Sequence, residues 1–365
     1  MSAVIGVVVV DESPIVCRLL TSFLEAAPDL RVVGTARTGD RALDLVKALR
    51  PQAVTLALEL PGMSRLEALQ RIMEECPTPV VLISGVSRRA AAVTLRALEL
   101  GAVDFILKYS PGADTDPGRL QQEIVSRVRM AARIKVIRSL RPRLLLGRGP
   151  GPPPRPAPPR KWPEPVPEQV SRRPAAAPTS GGMVVIGAST GGPLALRELL
   201  ANLPANFPGG ILVVQHMPAS FTGVLAARLN RQVRLSVREA RDGDLLEAGL
   251  VLVAPGDYHL LVRPDGHVEL SRGPEIGGNR PSVDVTMQSA AQVFGPRTRA
   301  VVLTGMGHDG TQGLVAVRSK GGTTFAQDAA SCVVNGMPQR AVDAGVVDHI
   351  ASPAGIARLL EGELG

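Results

Sequence analysis

Three polar residues far apart in the chain each follow a short apolar run. Ser189 comes after residues 184–187, His216 after 211–215, and Asp309 after 300–304, inside Gly305-Met306-Gly307-His308-Asp309-Gly310. A serine hydroxyl is a poor nucleophile until a base takes its proton. A neutral imidazole does this near neutral pH, and a carboxylate behind it fixes the tautomer and stabilises the imidazolium. Strands of one parallel sheet deliver their C-terminal ends to one edge, so residues distant in sequence can converge there. The chemistry that fits is acyl transfer through a serine ester. Each residue also has a plainer reading: a histidine at a strand end is commonly a hydrogen-bonded structural group, and an aspartate before glycine a turn or cap. His308 is a rival base, but it diverges in direction from its neighbour Asp309, which favours His216. His259, His267 and His349 are assigned no chemistry.

The serine sits in Met183-Val184-Val185-Ile186-Gly187-Ala188-Ser189-Thr190-Gly191-Gly192-Pro193. The apolar run predicts a buried strand and the glycines a turn; Pro193 suits a first helical position, opening a segment over 194–200. Free N–H groups at such a junction can hold an anion. A phosphate-binding turn is the alternative. The spacing is neither G-x-G-x-x-G nor a P-loop with its lysine, and the serine is not in G-x-S-x-G.

The elements that must position these residues come from a chain of 365 residues, enough for two domains. Apolar residues make up 45% and aromatics 2%, so the cores must be aliphatic. The net charge of +8 hints at nucleic acid, but residues 129–173 hold 12 Lys/Arg against 2 Asp/Glu, a net of +10, leaving the rest slightly acidic. That is not a basic domain surface, and the basic stretch lacks interleaved aromatics for stacking on bases, apart from Trp162. Nucleic acid is therefore excluded as a partner. Three scattered cysteines form no disulfide framework, there is no signal peptide, and no apolar run is long enough to span a membrane. These features fit a cytoplasmic protein without direct membrane insertion.

Short apolar runs at 5–10, 30–36, 53–58, 80–84 and 103–107 alternate with helical patterns at 14–26, 41–49, 65–75, 90–100 and about 120–137. Five such units predict a parallel sheet covered on both faces. Residues 139–182 are rich in Pro and Arg and read as an extended linker; docking on an acidic partner is its sharper reading. From Met183 the alternation resumes, with strands at 211–214, 250–253, 258–261, 267–270 and 300–303 and helices at 193–203, 220–230, 283–294, 311–320 and 354–360. Asp265-Gly266 marks a hairpin on the margin of a doubly wound sheet. The division is thus 1–138, 139–182 and 183–365.

The first part resembles a two-component receiver domain, with a flavodoxin-like fold. Asp11 and Glu12 end the first strand, Ser84 the fourth and Lys108 the fifth, and residues 93–105 are like the receiver of chemotaxis methylesterases. In that family the third strand ends Leu-Asp-x-Glu-Met-Pro, and its aspartate accepts a phosphoryl group. Here the chain reads Leu56-Ala57-Leu58-Glu59-Leu60-Pro61, so Ala57 stands at the acceptor position and cannot accept. Tyr109 replaces the usual proline and Ser64-Arg65 an Asp-Gly. With one carboxylate gone, Asp11 and Glu12 are not expected to hold Mg²⁺. Glu59, further along the strand and longer, would misplace an acyl phosphate.

Ile186-Gly187-Ala188-Ser189-Thr190-Gly191-Gly192, Gln215-His216-Met217-Pro218, Pro281-Ser282-Val283-Asp284 and the segment around Asp309 resemble the CheB-type protein-glutamate methylesterases. The likeness covers everything but the linker. It implies a triad of Ser189, His216 and Asp309, hydrolysis of glutamyl γ-methyl esters on chemoreceptor cytoplasmic helices, and in many members deamidation of receptor glutamines, with no metal or cofactor. Backbone N–H groups of Thr190 and Met306 are the candidate oxyanion donors. Methylated chemoreceptors are the implied partners, with a chemotaxis histidine kinase or other signalling protein beside them. The family's receiver covers the cleft until phosphorylation changes the contact; here regulation is expected to be independent of receiver phosphorylation. A non-catalytic adaptor is the alternative, and a nucleotide-binding α/β protein is disfavoured by the glycine spacing.

Overall fold

The computed structural model describes residues 4–58, 60, 66–108, 116–134 and 182–364. The expected linker lies outside the described residues except for Gly182, as do Glu59, Tyr109 and the Ser64-Arg65 pair.

The first domain runs β1 (Ile5–Val10), α1 (Pro14–Glu25), β2 (Leu30–Ala36), α2 (Gly39–Leu49), β3 (Ala53–Ala57), α3 (Glu67–Glu75), β4 (Val80–Ser84), α4 (Arg88–Glu99), β5 (Asp104–Leu107) and α5 (Pro117–Ala131). The strands pair in parallel in the order β2-β1-β3-β4-β5, the flavodoxin-like order. Helices cover both faces, which is why Val7, Val8, Val9 and Val10 form an unbroken apolar run, all fully buried. Ser13, Thr38 and Ser87 cap α1, α2 and α4 through their hydroxyls. The last helix differs from expectation. It begins at Pro117, where the Asp116 side chain accepts the Gly118 N–H, and ends at Ala131 rather than near residue 137.

The second domain runs β6 (Met183–Ala188), α6 (Gly192–Ala201), β7 (Gly210–Gln215), α7 (Ala219–Asn230), β8 (Ser236–Glu239), β9 (Leu250–Val253), β10 (His259–Val262), β11 (Val268–Ser271), α8 (Val283–Phe294), β12 (Thr298–Val302), α9 (Thr311–Ser319), β13 (Thr323–Gln327), α10 (Met337–Asp343), β14 (His349–Ala351) and α11 (Pro353–Leu364). Seven strands form one parallel sheet ordered β14-β13-β12-β6-β7-β9-β8. The expected hairpin is present as a separate antiparallel pair, β10 with β11, turning at Gly266. The strands β8, β13 and β14 and the helix α10 were not expected.

Among the described residues, one of the three buried apolar clusters runs through both domains. Leu95 and Leu98 of α4 and Phe105 of β5 belong to the same buried cluster as Phe221, Leu225 and Leu229 of α7. The Phe105 and Phe221 rings stack with centroids 4.6 Å apart and planes 13° from parallel. Beside them Arg228 Nε donates to Glu99 Oε1 at 2.7 Å, and Gln232 Nε2 donates to the same oxygen at 3.1 Å. Burial opposes ionisation of Glu99, but the hydrogen bonds from Arg228, Gln232 and Arg96 outweigh it and hold the carboxyl at about 2.

Candidate active site

Strand β6 lies between β12 and β7, where the direction of winding reverses, the place where open α/β sheets build their sites. The backbone just past it is pinned on both sides. The Ser189 N–H donates to the Thr304 carbonyl, and the His216 N–H to the Ala188 carbonyl, each at 3.0 Å. The Ser189 carbonyl accepts from the Gly192 N–H at 2.8 Å and from Gln215 Nε2 at 2.9 Å. Two glycines make the turn possible. A Cβ on Gly187 would stand 2.3 Å from Val283 Cγ1, so only glycine lets α8 approach the strand. Gly191 has φ +79° at the start of α6, in the left-handed region.

His216 Nε2 lies 2.8 Å from Asp309 Oδ2. The carboxylate has no free lone pair to spare: Oδ1 accepts from Ser282 Oγ (3.0 Å) and the Asp284 N–H (2.9 Å), and Oδ2 also accepts from the Val283 N–H at 2.8 Å. Asp309 thereby caps α8 from outside, its negative charge at the helix's positive end. Burial would raise its carboxyl; the hydrogen bond and charge of His216, with the Asp284 and Val283 N–H groups, prevail and hold it at about 2. An ionised Asp309 needs a donor, so the proton of a neutral His216 belongs on Nε2 and the lone pair on Nδ1. The Ser189 hydroxyl makes no hydrogen bond among the described residues, although Ser189 and His216 line one cavity. In the state described, nucleophile and base are neighbours not yet in contact, a common condition of unliganded sites.

The Thr190 N–H, likewise without an acceptor among the described residues, follows the serine directly, as an oxyanion donor should. The Met306 N–H is also without an acceptor among the described residues, while its side chain is exposed, with Sδ 3.7 Å from Ser126 Oγ of α5. It adjoins Gly305, whose added Cβ would stand 2.7 Å from Ser189 Cβ. His308 is exposed, while Asp309 next to it is buried. His259 is buried; its Nδ1 accepts the Ser282 N–H at 3.2 Å and its Nε2 lies 2.9 Å from the Pro274 carbonyl. Three residues that sequence reasoning left without a role therefore support Asp309: Ser282 by contact, His259 by holding Ser282, and Asp284. The Asp284 carboxylate accepts the Gly310 and Gly313 N–H groups at 2.8 and 2.7 Å, tying α8 to the start of α9. Burial, with the Asp309 charge added, raises its carboxyl.

Residues 184–360 match the model of the CheB methylesterases and residues 7–116 that of the response regulator receiver domain. A protein of Symbiobacterium thermophilum named protein-glutamate methylesterase/protein-glutamine glutaminase is 42% identical, over 97% of this chain and 95% of its own. The chain belongs to the CheB methylesterase family. A Pseudomonas aeruginosa relative of the same name, numbered 2, is 41% identical over 98% and 96% of the two chains. The solved catalytic domain of the Thermotoga maritima CheB methylesterase is 45% identical, covers 50% of this chain and 98% of its own, and superposes with a TM-score of 0.49.

In the receiver, Asp11 is fully buried. Its Oδ1 accepts the Ser13 N–H at 2.9 Å, and its Oδ2 forms an ion pair with Lys108 Nζ at 2.9 Å, outside hydrogen-bond angles. Glu12 is exposed. Ser84 Oγ sits 2.6 Å from Thr94 Oγ1, and Ala57 is buried at the end of β3. Lys108 is thus paired with Asp11, and β3 ends on the methyl group of Ala57. Among the described residues no three His, Cys, Asp or Glu side chains come together as a metal site, and no helix is long and apolar enough to cross a membrane.

The receiver also lines the candidate cleft. Asp104 and Phe105 of β5 and Arg127 of α5 line the same ≈ 290 Å³ cavity as Ser189 and His216. Thr190 Oγ1 donates to Asp104 Oδ2 at 2.7 Å, and Arg127 Nη1 lies 2.9 Å from Asp104 Oδ1. On the rim Arg119 pairs with Glu275 at 2.7 Å.

Proposed function

We propose that the chain hydrolyses γ-methyl esters of glutamyl side chains in a protein, through a covalent glutamyl-serine ester. The observation that carries this reading is the His216–Asp309 pair, with its carboxylate fully engaged, set beside Ser189 at the switch point of the sheet. Ser189 Oγ attacks the ester carbonyl while His216 Nδ1 takes its proton. The tetrahedral oxyanion is held by backbone donors, the Thr190 N–H first among them. Methanol leaves with the proton returned from His216. Water then repeats the sequence: its proton goes to His216, which returns it to the departing Ser189 oxygen as the glutamic acid forms and ionises. The same steps on a glutaminyl amide release ammonia, in keeping with the second half of the relatives' name.

The substrates in this reading are methylated chemoreceptors, and the chain is divided into a receiver at 1–138 and an esterase at 183–365 joined by 139–182. Ala57 leaves the receiver without an acceptor, so its hold on the cleft is relieved by a protein partner, such as a chemotaxis kinase or another signalling protein, rather than by phosphorylation. The test is methanol release from a methylated chemoreceptor fragment by the full chain, set against Ser189→Ala. A non-catalytic adaptor would release none in either form.

A further inference from the structure

The cleft carries a guanidinium whose hydrogen bonds are incomplete. Arg280 lines the same cavity as Ser189 and His216. Its Nη1 donates to the Gly273 carbonyl at 2.9 Å, which fixes the plane of the fork. Its Nε is buried without a hydrogen-bond partner. Among the described residues Arg280 makes no ion pair, whereas Arg127 on this cavity pairs with Asp104 and Glu123, and the cavity's Glu275 is taken by Arg119. The remaining acid on the cavity, Asp257, is exposed and forms no ion pair with Arg280; its N–H donates to the Arg280 carbonyl at 3.1 Å. A buried N–H of a charged group is costly to leave unpaired, and a planar fork held on one side is shaped for a carboxylate.

We propose that Arg280 is a specificity-determining residue: it binds a carboxylate of the protein substrate, from an acidic side chain flanking the reacting glutamyl ester. This rests on the esterase reading above and adds to it the charge pattern the site selects. The reacting ester is neutral, so the carboxylate must come from a neighbouring residue. Nη2 is the accessible donor left to receive it, beside a buried Nε that no other group holds. Arg280 takes no part in bond making; it holds the substrate in register with Ser189.

The test uses the full chain and two synthetic helical peptides, each with one glutamyl γ-methyl ester, flanked by glutamates in one and by serines in the other. Wild type is expected to release methanol with a kcat/KM about tenfold higher on the acidic peptide, a preference that shrinks as salt is raised. Arg280→Gln should remove the preference through KM, with kcat little changed, and Arg280→Lys should keep part of it. In a Ser189→Ala background, where no turnover intervenes, fluorescence anisotropy should show the same preference and its same dependence on Arg280. That binding arm separates this inference from the esterase reading: preference without methanol release would sink the esterase and leave the carboxylate site standing. Equal losses on both peptides in a variant of unchanged Tm would overturn the inference, as would an effect confined to inhibition by the glutamate product.

Discussion

Thr190 Oγ1 donates a 2.7 Å hydrogen bond to Asp104 Oδ2, which joins the residue after the serine to the last strand of the receiver. Arg127 engages the other oxygen of Asp104 at 2.9 Å, so this one carboxylate ties β5 and α5 to the catalytic turn. The contact lies inside the cleft. On the proposed reading, a substrate helix reaching Ser189 displaces it.

Weakening the domain contact away from the chemistry should therefore release the esterase. Glu99→Arg removes the partner of Arg228 and sets a third guanidinium beside Arg96 and Arg228. Methanol release by this variant is expected to rise about tenfold, the scale of typical site-to-site coupling. An unchanged rate, with the domains shown by small-angle scattering to have separated, would mean the receiver imposes no restraint.

The same residue sets a pH window. The Glu99 carboxyl is lowered from its usual 4.5 to about 2. Its contribution to the interface is fully present above about 4.5 and is lost as pH falls through about 2. Scattering should show the domains together from neutral pH down to about 4.5 and separating below that. Separation beginning near neutral pH would assign the sensitivity to another group.

Asp309→Asn should lower kcat by about 10⁴-fold with little change in KM, since an amide cannot stabilise the imidazolium and favours the wrong tautomer. Ser282→Ala, which removes one hydrogen bond to the same carboxylate, should cost about 10-fold. Asp309 is held at about 2, against a usual 3.8, so the acid limb of the pH–rate profile must belong to another group. An acid limb that moved with Ser282→Ala would contradict this assignment.

Acetyl phosphate with Mg²⁺ should neither label the receiver nor change the esterase rate, because a methyl group has no nucleophilic oxygen and Lys108 is already paired with Asp11. Mass spectrometry of the intact chain reads this directly. A stoichiometric gain of one phosphoryl group with a rise in activity would overturn it.

The βα alternation and the strand ends that carry Ser189, His216 and Asp309 were legible because buried parallel strands leave unbroken apolar runs. The missed elements break that pattern for visible reasons. Strand β13 is Thr-Thr-Phe-Ala-Gln, and its two buried polar residues are bonded: Thr324 Oγ1 to Asp348 and the Val346 carbonyl, Gln327 Oε1 to the Thr304 N–H. Strands β8 and β14 are short edges with half-exposed patterns. The support of Asp309 by Ser282, Asp284 and His259 depends on packing between separate segments, so no local spacing announces it. The contact of Thr190 with Asp104, 86 residues apart, is likewise a property of how two finished domains meet.

Ser189 as the nucleophile of a protein-glutamate methylesterase is tested most directly by trapping the intermediate: the full chain is mixed with a methylated chemoreceptor peptide, quenched in acid within a turnover and analysed by peptide mass spectrometry. The expected result is a glutamyl ester on Ser189, absent from Ser189→Ala, which also releases no methanol. Methanol release at the wild-type rate by Ser189→Ala, or an acyl group on any other residue, would contradict it.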